Sequence, residues 1–221
     1  MNRSVSILSF AVLSASLLSL AGPAAAATVG YVEAFDTEAA ADSWWVFKQE
    51  DAGTYYPGYD TSGSDPFIYS TWTTDGVWIW AQDDSSGGAF VGDYAAAGVT
   101  EIMFECRTPW PTEIASIRAY IKSGYDSEYH FLNFGTLDDD GWWRLHARMD
   151  DADWWSETAG YGALTTNLIS DVLEAGVYVT AVDGLTEYTE FDMDNFQLVP
   201  EPVALSVLAL GAVGMLFHRK R

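Results

Sequence analysis

Cysteine is all but missing. Cys106 is the only one in 221 residues, so no intramolecular disulfide can form. It lies in Ile102-Met103-Phe104-Glu105-Cys106, on the same strand face as Ile102 and Phe104, which reads as a buried inert thiol. Bases are scarce too: ten Lys and Arg stand against 32 Asp and Glu, a formal charge of −22. Such a surface repels nucleic acid and anionic lipid and favours divalent cations. Histidine is nearly absent. His130 and His146 are the two outside the C-terminal end, too few and too far apart in sequence to announce zinc or a Ser-His-Asp triad. No G-x-S-x-G occurs, and no D-x-D-x-D-G loop with a distal Glu. A pair of acids for glycoside hydrolysis can be drawn from so many candidates that no pair is informative. No repeat of fixed period is present. Aromatics are the exception to this poverty: 10 Trp, 12 Tyr and 11 Phe exclude disorder despite the charge.

Long apolar runs occur only at the two ends. At the front, Arg3 precedes the apolar Val5 to Leu20, Gly22-Pro23 breaks the run, and Ala25-Ala26-Ala27 offers a small-residue cleavage site. Residues 1–27 therefore read as a signal peptide. At the back stand Pro200-Glu201-Pro202, then Val203 to Phe217 without a charge, then His218-Arg219-Lys220-Arg221. Two prolines two apart cannot sit inside a helix, so Pro-Glu-Pro reads as an extended hinge. The 15 residues after it form a membrane helix of about 22 Å, short of a hydrocarbon core of about 30 Å. The basic end holds the tail on the cytoplasmic side.

This order of hinge, short helix and basic end resembles the PEP-CTERM sorting signal of bacterial envelope proteins. The resemblance covers residues 200–221. It implies recognition and processing by a membrane-embedded exosortase, transient anchoring in the inner membrane, and final residence in the cell envelope, at the outer surface or in the extracellular matrix of a Gram-negative-type bacterium. The residues that carry it are Pro200, Glu201, Pro202, Arg219, Lys220 and Arg221. An ordinary tail anchor is the other reading.

Between the ends lie residues 28–199, 172 residues with 31 acids and six bases. That is enough for one domain with a substantial core. Short alternating runs broken by Gly, Asp, Ser and Pro predict an all-β sandwich. The runs are Val29–Phe35, Trp44–Gln49, Phe67–Trp72, Val77–Ala81, Thr100–Arg107, Ile114–Lys122, Glu128–Phe134, Trp142–Met149, Val177–Val182 and Thr189–Val199. Leu164 to Leu173 reads as a short helix or turn, and Asp138-Asp139-Asp140-Gly141 as a hairpin turn. In the last run, Phe191 and Met193 have one parity and Phe196 and Leu198 the other. A period of two cannot bury all four, so a β-bulge is predicted near Asp194-Asn195.

Three pieces of the body resemble the galactose-binding-like jelly roll of many carbohydrate-binding modules. They are Phe35-Asp36 followed by Trp44; Phe90-Val91-Gly92-Asp93-Tyr94-Ala95-Ala96-Ala97-Gly98; and Asp194-Asn195-Phe196-Gln197-Leu198. The resemblance implies a structural Ca²⁺ tying the first strand to the last, with Asp36 and Asp194 as the matching carboxylates. Hard oxygens suit that ion. The alternative is a plain surface pair of acids.

Two runs carry bases on one face. Arg118, Tyr120 and Lys122 alternate with Ile117, Ala119 and Ile121. Trp142, Arg144, His146 and Arg148 alternate with Trp143, Leu145, Ala147 and Met149. A basic-aromatic patch of Arg118, Tyr120, Trp142, Arg144, His146 and Arg148 suits an acidic polysaccharide: guanidinium forks bind carboxylate or sulfate, and rings stack on sugars. Internal charge balance with neighbouring acids accounts for the same bases. The pairs Trp44-Trp45, Trp142-Trp143 and Trp154-Trp155 each put one ring on either face of a strand. Trp78 and Trp80 share a face, which is a stacking platform or, for at least one of them, core.

The chain thus reads as an exported, non-enzymatic envelope or matrix protein whose jelly roll contacts polysaccharide. A purely structural surface protein and a glycan-active enzyme are the alternatives.

Overall fold

The computed structural model describes residues 27–185 and 187–201. The targeting segment up to Ala26, and the tail from Pro202 through Arg219, Lys220 and Arg221, lie outside the described residues. Among the described residues no helix is long and apolar enough to cross a membrane.

Alternating runs form the strands. In chain order they are β1 (Val32–Glu33), β2 (Trp45–Lys48), β3 (Gly53–Tyr55), β4 (Gly58–Asp60), β5 (Phe67–Trp72), β6 (Gly76–Ala81) and β7 (Val99–Arg107). There follow β8 (Ile114–Ser123), β9 (Tyr129–Gly135), β10 (Trp143–Arg148), β11 (Trp155–Ser156), β12 (Gly160–Tyr161), β13 (Val172–Ala181) and β14 (Thr189–Pro200). One antiparallel sheet has the order β10-β7-β14-β5-β4, with β1 also on β14. The other has the order β12-β11-β9-β8-β13-β6-β2-β3. The chain changes sheet after β1, β3, β5, β6, β7, β9, β10 and β13. The result is a jelly-roll β-sandwich whose two sheets close over one core.

That core takes every second residue. Val77 and Ile79 of β6, Ile117, Ala119 and Ile121 of β8, and Val177 and Val179 of β13 face Ile102, Phe104 and Cys106 of β7 and Phe191, Met193, Phe196 and Leu198 of β14. Trp44 is its hub at one end, with ring centroids 5.4 Å from Phe35, 5.5 Å from Phe90 and 5.0 Å from Phe196. Cys106 is buried, and desolvation pushes its thiol far above the usual range, as an inert thiol requires.

The predicted bulge is present. Asp194 pairs with Glu105 and Gln197 with Met103, so β14 carries one residue more than β7 over that step. Asn195 absorbs it at φ 49°, and all four apolar side chains of both parities reach the core. Three expectations need correction. β13 begins at Val172 rather than Val177, because β8 pairs with it from Val172 and β6 joins from Ala175, which overrides its broken alternation at Glu174 and Gly176. The turn before it is real but ends by Asp171. The Asp138–Gly141 run joins no hairpin: β9 and β10 belong to opposite sheets, and this stretch carries the chain between them. Pro200 is no free hinge residue, since it is the last residue of β14, opposite Val99, and the Glu201 amide donates to the Gly98 carbonyl at 3.0 Å.

Candidate functional site

The outer face of the eight-stranded sheet is paved with aromatic rings. Register explains it. Trp45 pairs with Trp80, Trp80 with Gly176, Gly176 with Tyr120, Tyr120 with Phe131, Phe131 with Trp155, and Trp155 with Tyr161. One row therefore crosses seven strands, about 29 Å at the usual strand spacing of roughly 4.8 Å. A second row runs beside it through Phe47, Trp78, Tyr178, Arg118 and Asn133. Trp78 is its centre: its ring stacks on Tyr178 at 4.3 Å and meets Tyr120 edge-on at 4.9 Å and Tyr129 at 5.1 Å. Val77 and Ile79 take the core, so both Trp78 and Trp80 stand on the outer face and neither is core.

Glycine interrupts the first row at one place. A Cβ on Gly176 would collide with the Ile79 carbonyl and the Trp80 backbone. Above it lies a hollow of about 380 Å³ lined by Phe47, Gln49, Trp78, Trp80, Tyr120, Tyr129 and Glu174. The Tyr120 hydroxyl and the Trp80 indole N–H are buried here without a hydrogen-bond partner. Burial pushes the Tyr120 phenol well above its ordinary range, so it stays a neutral donor. Around them the polar groups are engaged. Tyr178 donates to Gln49 Oε1 at 2.9 Å, and Lys122 Nζ donates to Glu174 Oε1 at 2.9 Å. A second hollow of about 350 Å³, lined by Ser127, Glu128, Tyr129, Phe131, Trp155 and Glu157, shares Tyr129 with the first. A third, about 270 Å³, shares Phe131 and Trp155 with the second and adds Arg118, Asn133, Asp153 and Tyr161. The three make one trough across the sheet.

The basic-aromatic patch expected from sequence is not one surface. Arg118 and Tyr120 belong to this face, with Tyr120 fully buried under its neighbours. Trp142, Arg144, His146 and Arg148 lie at the opposite side of the sandwich, on or just before β10. The link between β9 and β10 crosses from one sheet to the other, and this separates what a common outward parity seemed to unite. The bases on β10 are balanced locally: Arg144 bonds Glu105, His146 bonds Glu101, and Arg148 bonds Asp150 at 3.0 Å. Trp142 instead packs edge-on against Phe67 at 5.6 Å, with the Arg107 guanidinium 4.9 Å from its ring. Arg118 differs from the other described arginines. It has no carboxylate within 4.0 Å and rests 5.5 Å from the Tyr178 ring. His130 and His146 stand on opposite sheets, and each is tied to a single acid, Asp126 at 3.0 Å and Glu101.

Asp36 and Asp194 flank the β1–β14 junction. Asp194 is buried and Asp36 exposed. Asp194 accepts the Asn195 amide at 2.7 Å and the Asn195 side-chain N–H at 3.0 Å. Burial raises its carboxyl to about 7 against the pull of the Asn195 amide, and the charges of Asp65, Glu105 and Asp36 raise it further. Among the described residues no three such side chains converge closely enough to hold an ion as they stand. The charged groups that act on Asp194 are all carboxylates, Asp65, Glu105 and Asp36, and hard oxygens suit a divalent cation better than a softer metal.

No protein-family model and no curated protein matches the sequence. Solved structures match in shape. The family 11 carbohydrate-binding module of the cellulosomal cellulase Lic26A-Cel5E of Clostridium thermocellum aligns over 79% of this chain and 96% of its own, with TM-score 0.50 and 13% identity. The Clostridium thermocellum family 11 module in complex with a β-1,3-1,4-mixed-linked tetrasaccharide aligns over 72% and 89%, with TM-score 0.47 and 13% identity. The L4b domain of human laminin alpha-2 aligns over 75% and 96%, with TM-score 0.50 and 8% identity. At these identities the two matches at TM-score 0.50, a carbohydrate-binding module and a laminin domain, show the fold alone, a β-sandwich of this class.

Proposed function

We propose that this chain is an exported, non-catalytic envelope or matrix protein whose jelly roll binds a polysaccharide along the outer face of its eight-stranded sheet. One observation carries the reading. A register-aligned row of rings crosses the sheet over a trough, and its β11–β12 end presents Trp155 and Tyr161 to solvent at 38% and 77% exposure. Ring faces stack on the apolar C–H side of sugars. A row about 29 Å long suits an extended chain rather than a single sugar. Export and sorting rest on the two terminal segments, with an exosortase as the partner of the tail. Calcium is the ion that the acidic junction of Asp36 and Asp194 would hold, with backbone carbonyls and water completing its oxygen shell.

The test is binding of the purified protein to a panel of soluble polysaccharides by calorimetry, with variants at exposed rings whose loss spares the core. Trp155→Ala and Tyr161→Ala should each weaken binding by about 1 kcal/mol, roughly fivefold. The reading fails if no glycan binds, or if binding ignores both rings.

A further inference from the structure

The middle hollow of the trough has a composition of its own. Three rings wall it, Tyr129, Phe131 and Trp155, with centroids 6.3 Å apart from Tyr129 to Phe131 and 6.3 Å from Phe131 to Trp155. Two carboxylates, Glu128 and Glu157, stand at its rim, and no base lines it. Lys122, held by Glu174 at 2.9 Å, already sets its own ammonium 5.1 Å from the Tyr129 ring, which leaves Phe131 and Trp155 as the walls for a further cation. Arg118 lines the neighbouring hollow instead. Thr158 donates to both oxygens of Glu128 and holds its carboxyl below the usual range, so the charge is fixed there. Aromatic walls with carboxylates at the edge are the chemistry that takes an organic ammonium: the ring quadrupole attracts the cation, and the carboxylates neutralise it.

We infer that this hollow is an ammonium subsite and that the polymer in the trough carries free amino groups, as a glucosamine-type polysaccharide does. The inference rests on the glycan-binding reading of the same face and replaces the acidic ligand suggested by the sequence. An acidic polymer would meet Glu128, Glu157 and Asp153 along the trough, with Arg118 as the one base not already tied to an acid there. The formal charge of −22 adds a field of the same sign.

The experiment compares four probes of equal length on the purified full chain, at low and high salt: a glucosamine oligomer, its N-acetylated form, a galacturonate oligomer and a lysine peptide. The glucosamine oligomer should bind about tenfold tighter than the neutral one, and salt should narrow that gap. Glu128→Gln with Glu157→Gln should remove the preference. Asp138→Asn with Asp140→Asn, which deletes the same charge from an exposed link elsewhere, should leave it intact. Equal binding of the glucosamine and N-acetylated oligomers overturns the ammonium subsite and leaves glycan binding standing. Equal loss in both double variants reduces the effect to net charge and also overturns it. A lysine peptide that matches the glucosamine oligomer overturns the assignment to a glycan. Failure of every oligosaccharide to bind overturns the glycan-binding reading itself.

Discussion

Two aspartates on β14 are buried where water would normally pay their charge. Burial raises Asp192 to about 6, with Arg107 at 2.7 Å pulling the other way, and raises Asp194 to about 7. An unfolded aspartate titrates near 4. Between those limits the folded chain therefore holds protons that the unfolded chain has released. Stability contributed by the two groups is complete below about pH 4 and is lost as pH rises through 6 and 7, on the order of 3 kcal/mol for Asp192 and about 4 kcal/mol for Asp194. A denaturant series from pH 4 to pH 8 in chelator should show that decline, after a control for the general self-repulsion of so acidic a chain. Calcium at Asp194 would take the place of the proton. Added Ca²⁺ should then restore stability at neutral pH, by about 2.7 kcal/mol at a hundredfold excess over Kd, and leave the value at pH 4 unchanged. Asp194→Asn should remove the part of the decline near pH 7, leave that of Asp192 near pH 6, and abolish the calcium response. A neutral-pH unfolding curve that is the same in calcium and in chelator removes calcium from this junction.

At the scale of elements, β14 shows what could be read from residues alone. The clash of parity between Phe191-Met193 and Phe196-Leu198 demanded one extra residue, and the register supplies it at Asn195. Deleting Asn195 should therefore drive Phe196 and Leu198 out of the core and abolish cooperative unfolding. Asn195→Gly keeps the bulge and should change stability by no more than about 1 kcal/mol, because Gly adopts positive φ freely. Retention of native near-ultraviolet dichroism by the deletion would refute the register argument. The long strands and the split of each Trp pair were legible for the same reason: burial of one face writes a period of two into the sequence. Trp44 is buried beside a partly exposed Trp45, and Trp154 beside an exposed Trp155. Two- and three-residue strands such as β3, β4, β11 and β12 are too short to show a period, and only their partners define them. The site was legible in pieces. Parity put Arg118 and Tyr120 on the outer face of one strand and Arg144 and Arg148 on that of another, but parity cannot say which sheet a strand joins. The trough depends on lateral register across seven strands, and no local pattern in Trp80, Gly176, Tyr120 or Phe131 announces it.

At the scale of the whole molecule, the binding and the sorting proposed for this chain fall on different layers. β1 and β14 pair, so both ends of the described chain leave from the six-stranded sheet, while the trough lies on the outer face of the other. A polymer in the trough therefore need not contact the segment that follows Glu201. Binding and sorting should be separable by mutation. The boundary between them is sharp: Pro200 closes β14 opposite Val99, and the Glu201 amide is bonded to Gly98. Replacing Pro200-Glu201-Pro202 by three alanines alters the hinge while leaving every ring of the trough in place. Pro200 is terminal in its strand, where an added N–H and a more flexible backbone are cheap, so the body should still fold. Polysaccharide affinity of the variant should stay within about twofold of the original, since no contact that stacks or hydrogen-bonds is touched. Fractionation of the producing cells should show the opposite, with the variant unprocessed or diverted from its final location. If processing and location are both unchanged, the hinge is no sorting signal. If affinity falls with the hinge, the two layers are coupled and the separation proposed here is wrong.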